Sequence, residues 1–129
     1  MKCNELMVGD WIAEIYGLPM QVVSVGKDYL YADFEGNEGN VVKFDDKSYK
    51  PYPIVLEDEF FEINDFDERI LYHRKGTIVH AKSGNNGYDI TIGMFDAPFA
   101  SDVNVHYVHE LQQLLRLGGF TELANNVKV

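Results

Sequence analysis

The sequence predicts an α+β protein, predominantly β. The expected order is a small N-terminal barrel or sandwich, a helix, an antiparallel β-meander and a C-terminal amphipathic helix. Three observations carry this expectation. Residues 5–50 break into short β-prone runs separated by Gly, Asn and Asp. Residues 88–94, YDITIGM, alternate strictly in polarity. The stretch HYVHELQQLLRLGG, 106–119, spaces its apolar residues as one face of a helix.

In the first segment, Gly9-Asp10 turns the chain into WIAEIY (11–16), which sets Trp11, Ala13 and Ile15 on one side. Gly17-Leu18-Pro19 ends that run, and MQVVSV (20–25) and YLYADF (29–34) follow, separated by Gly26-Lys27-Asp28. EGNEGN (35–40) is a loop, and VVKF (41–44) is a fourth short strand. Barrels leave few open edges, which suits a segment this small. Pro51 and Pro53 bar helix before them, placing the boundary between segments 1–52 and 53–129.

In the second segment, Leu56, Phe60, Ile63 and Phe66 recur at helical spacing, with Glu57, Asp58 and Glu59 at the positive end of the helix dipole. ERILYHR (68–74) and TIVHAK (77–82) flank a turn at Lys75-Gly76. The turn Ser83–Gly87, ending in Asn-Gly, leads into 88–94. FDAPFA (95–100) reads as a loop and DVNV (102–105) as a last strand. On the final helix, Tyr107, Val108, Leu111, Leu114 and Leu115 fall on one side; His106, His109, Gln112, Gln113 and Arg116 gather on the other and are expected to face solvent. Gly118-Gly119 ends the helix, and 121–129 carries no clear pattern.

Composition limits the function. Apolar residues are 46% and aromatics 13%, enough for a packed core. The net charge is −10, and each segment is acidic, with about −4 in residues 1–50 and −6 in the rest. Phosphate binding needs clustered Lys and Arg. The one cationic cluster is His73-Arg74-Lys75, so direct nucleic-acid binding is not expected. No apolar run approaches a membrane span. The opening MKCNELMVGD carries no apolar signal region, and one cysteine forms no internal disulfide, so the expected location is cytoplasmic.

An opening ELMVGDWI, a middle PYPIVLEDEFF and a C-terminal YVHELQQLLRLGG resemble, in the same order, a group of small bacterial proteins associated with gut bacteria and their phages or mobile elements. That group shares a GDWV-type strand, a PIPLTEE helix start and a VHELQ-L helix. This chain departs from it at Ile54-Val55-Leu56-Glu57. The resemblance implies an SH3-like barrel followed by helix, β-meander and helix, and an accessory rather than a core metabolic gene. The group has no assigned activity, so no functional residue carries over.

His106 and His109 could reach one metal ion, but the order His-x-x-His-Glu is neither the zincin motif nor its inverse, and no third ligand follows. His73 and His80 lie on adjacent predicted strands. The acidic stretches beginning at Asp65 and Asp33 lack the glycine of a calcium loop. There is no G-x-S-x-G, P-loop or G-x-G-x-x-G, and Cys3 has no obvious base. Aromatics remain: Trp11, Tyr16 and Tyr31 in the first segment and Phe95 and Phe99 in the aromatic loop are the candidate binding residues. The expected function is therefore a non-enzymatic protein-binding accessory module without a cofactor, whose partner is another protein. The alternatives are a small metal-dependent or acid–base hydrolase using His106 and His109, and an acidic nucleic-acid mimic acting as a decoy.

Overall fold

Eight strands and three helices are set out in a computed structural model that describes residues 1–33, 41–73, 76–94 and 97–129. The loop expected over 35–40, Phe34, Arg74-Lys75 and the candidate Phe95 lie outside the described residues. The fold is α+β with mostly strands, in two compact units, Met1–Ile54 and Val55–Val129.

The first unit opens with a 3₁₀ turn, Cys3–Glu5, and continues as β1 (Trp11–Ala13), β2 (Pro19–Val25), β3 (Tyr29–Asp33) and β4 (Val42–Asp45). These pair as one antiparallel sheet in the order β1-β2-β3-β4. Leu30 and Ala32 of β3 point inward with Met20 and Val22 of β2, and Phe44 of β4 joins them. Cys3, Leu6 and Ile12 complete this core. The SH3-like barrel is not confirmed: the described strands form no closed barrel, and the sheet order ends at β1 and β4. The long run expected over 11–16 stops at Ala13. Ile12, not Ile15, enters the core, because the chain folds back at Glu14 and leaves Ile15 exposed.

The second unit begins with α1 (Asp58–Ile63) and continues as β5 (Ile70–His73), β6 (Thr77–Ser83), β7 (Tyr88–Met94) and β8 (Ala97–Val105), then α2 (Val108–Leu117) and α3 (Thr121–Asn125). The strands form a second antiparallel meander, β5-β6-β7-β8. Alternation on β7 buries Tyr88, Ile90 and Ile92, as the sequence predicts, while Met94 at the strand's end is exposed. Phe61 of α1 packs edge-on against Tyr88 (4.8 Å between ring centroids) and Phe66 (5.1 Å), which fixes α1 to this core.

Two expectations for this unit are corrected. Residues 97–100, expected as loop, belong to β8, whose register with β7 shifts between Ile90 and Ile92 and again between Ile92 and Gly93. Those bulges, with Asp102 at φ 52, scramble the two-residue period that would have revealed the strand. The helix face expected to be solvated is also partly wrong: His109 and Gln112 are buried. The pattern-poor tail forms α3, and the Gln112 side chain donates to Ala124 O there at 2.9 Å. Cover from α3 thus takes Gln112 out of solvent, while Gln113 and Arg116 on the same side of α2 stay half-exposed.

Candidate functional site

The first unit carries its most exposed apolar group at the tip between β1 and β2. Glu14 organises that tip. Its backbone N–H donates to Leu18 O (3.0 Å), its carbonyl accepts from Gly17 N–H (2.9 Å), and its carboxylate accepts from Leu18 N–H (2.9 Å). Gly17 sits at φ 89, a backbone state that a side chain resists. The Glu14 side chain is turned inward and only 9% of the residue is exposed. By contrast Tyr16 is 92% exposed, flanked by Ile15 at 60% and Leu18 at 48%. Tyr52, whose backbone pairs in both directions with Ala13, adds another exposed ring in this unit. A polar clasp inside thus holds an apolar tip in water.

The other aromatic candidates divide. Trp11 lies in β1 and is buried. Tyr31 is half-buried on the outward face of β3, edge-on to Tyr29 at 6.0 Å, with the Lys43 ammonium 5.1 Å over the Tyr29 ring. These rings are occupied with one another. Phe99 is exposed on β8, and its ring lies beside Gly118 at the end of α2.

The histidines separate as well. His106 precedes α2 and is exposed, while His109 is inside the helix and buried. The Tyr107 ring stacks on His109 at 5.8 Å and 8° between planes. Glu110, the carboxylate nearest in sequence, accepts from the backbone N–H groups of His106 (2.9 Å) and Tyr107 (3.0 Å). It therefore serves the helix N-terminus. His80 opposes Ile70 in the β5–β6 ladder while His73 opposes Thr77, so the two are not cross-strand partners. Among the described residues, no three His, Cys, Asp or Glu side chains gather as a metal site.

A feature that sequence reasoning missed is a cleft of about 490 Å³ lined by Asp58, Phe61, Glu62, Phe66, Glu68 and Arg69. Arg69 reaches Asp58 at 3.6 Å, and the Tyr88 hydroxyl donates to the same carboxylate. Burial, and next the Asp58 carboxylate, push the Tyr88 hydroxyl up to about 12. The cleft is rimmed by a tight turn in which Asp67 and Ile70 exchange two hydrogen bonds of 2.9 Å. Its central residues, Glu68 (φ 50) and Arg69 (φ 63), adopt the positive φ usually left to Asn-Gly. No sequence signal announces that turn, because its residues are the wrong type for it. A smaller hollow of about 380 Å³ includes His106, Ser83 and Tyr107.

No helix among the described residues is long and apolar enough to cross a membrane. Comparison with known proteins adds no relative: no family model, no curated protein and no solved structure matches this chain.

Proposed function

We propose that the chain is a non-enzymatic protein-binding module whose contact is the tip Ile15-Tyr16-Leu18. The observation that carries this reading is the 92% exposure of Tyr16 on a loop held by Glu14. A hydrogen-bonded loop loses little conformational freedom when it docks, so its apolar side chains yield more net affinity. Tyrosine is also enriched among the residues that dominate binding energy at interfaces. The partner that fits is a protein with an apolar pocket for Tyr16 and a basic rim, since this chain carries −10. The resemblance noted in the sequence suits an accessory role of this kind.

The test is site-specific photocrosslinking in the native host, with the crosslinker at position 16 or at the exposed Asn125 as a control. A single adduct from position 16, lost when Ile15→Ser and Leu18→Ser are added, supports the reading. Equal adducts from both positions, or an adduct indifferent to the serine variants, overturn it.

A second reading, an acidic nucleic-acid mimic, draws support from residues 57–68, where seven exposed carboxylates occur without one cation. It requires binding that weakens steeply with salt. The hydrolase reading has less support, since His106 is exposed and His109 is buried in α2.

A further inference from the structure

The turn joining β6 to β7 carries two mutually reactive groups that are adjacent in the chain. Asn86 is exposed there, and it is followed by Gly87, making the one Asn-Gly pair in the sequence. Glycine has no side chain to shield its backbone nitrogen from the preceding carboxamide. The geometry points to Asn86 as a site of spontaneous modification, converted by its own backbone and water into aspartate and isoaspartate. The Gly87 nitrogen attacks Asn86 Cγ. A nitrogen–carbon bond closes the succinimide ring while the side-chain carbon–nitrogen bond breaks, and ammonia leaves with the proton from the Gly87 nitrogen. Water then adds to one of the two imide carbonyls. Opening on one side gives aspartate in a normal backbone; opening on the other inserts the side-chain carbon into the main chain.

The surroundings make the second product consequential. Asn104 Nδ2 donates to Asn86 O at 2.8 Å and to Asp89 Oδ1 at 3.0 Å, tying the turn to β8. Gly87 sits at φ 77, and a Cβ added there would lie 2.2 Å from Val105 O. The β8 backbone is therefore pressed against the turn at Gly87. In the isoaspartyl form the oxygen that Asn104 bonds leaves the main chain as part of a free carboxylate beside Asp89, the tie between the turn and β8 is shifted, and the Tyr88–Val105 end of the β7–β8 ladder opens.

The experiment ages the intact protein at mildly alkaline pH and physiological temperature, beside an Asn86→Gln variant. Native electrophoresis follows the added negative charge, tandem mass spectrometry of the 83–116 peptide locates it, and enzymatic methylation detects isoaspartate. The expected result is conversion at Asn86 ahead of Asn85 and Asn125, absent in the variant. Amide exchange at Tyr88 and Val105 should quicken in the aged sample. Conversion spread evenly over the asparagines, or confined to denatured protein, would overturn the assignment.

Discussion

The carboxylate of Asp46 accepts a hydrogen bond from the backbone N–H of Cys3 at 2.8 Å, joining residues 43 positions apart. One side chain after β4 thereby satisfies the start of the 3₁₀ turn that covers the core of the first unit. Asp46→Ala leaves that N–H without its acceptor and is expected to cost about 1–2 kcal/mol. Trp11 is the one tryptophan and lies buried in this unit, so denaturant unfolding followed by its emission reads the loss directly. An unchanged midpoint would show that the bond contributes nothing.

The same pair sets a pH window. Burial first, then the hydrogen bond and charge of Asp46, push the Cys3 thiol from 9.0 up to about 12. The fold therefore favours the neutral thiol. That contribution is complete below pH 9.0 and drains away between 9.0 and about 12, as the unfolded chain ionises first. Cys3→Ala should flatten the alkaline fall in stability read by Trp11, and Cys3 should resist thiol reagents at neutral pH. Rapid labelling of the folded protein would contradict this.

Tyr88 gives the second unit a separate alkaline limit. Its hydroxyl, raised from 10.0 to about 12, contributes stability that is present below pH 10.0 and lost toward about 12. Tyr88→Phe should remove this pH dependence and cost about 1 kcal/mol for the hydrogen bond to Asp58. Amide exchange at Ile90 and Ile92, against pH, distinguishes the variant from the parent.

At the tip, stability and binding should part company. Tyr16→Ser removes only exposed surface and should change stability by less than about 0.5 kcal/mol. Glu14→Ala takes away the acceptor of the Leu18 N–H and should cost about 1–2 kcal/mol. Glu14→Gln, which keeps an oxygen in place, should restore slow exchange of the Leu18 amide. Fast exchange in both variants would mean that the carboxylate does not hold the loop.

Gln112 is the test of α3. Its buried side chain bonds to Ala124 O, so Gln112→Ala strands that carbonyl and opens a cavity, at about 2–4 kcal/mol. Proteolysis should then release the segment after Gly119 first. A tail that stays protected would show that Val127 and Ala124, both buried, anchor it alone.

Much of the fold was legible because polarity and local period agreed. On β7 the alternation of Tyr88, Ile90 and Ile92 became the buried face, and on α2 Val108, Leu111 and Leu115 became the buried stripe. The misreadings arise where tertiary cover or backbone irregularity overrides the local pattern. Gln112 reads as solvated in sequence but is covered by α3, His109 is buried with the Tyr107 ring stacked on it, and β8 reads as loop because its bulges hide the alternation. Of the candidate site, the sequence offered Tyr16 as an aromatic but not its exposure. That exposure depends on the short β1 and on Glu14 turning inward.

The irregular course of β8 has a consequence for the protein at high concentration. A neighbouring copy extending the meander from its β8 end would need an unbroken row of amide donors and carbonyls along this last strand. Pro98 supplies no donor, and the kink at Asp102 throws the following groups out of line. Polymer growth from this strand is thereby disfavoured.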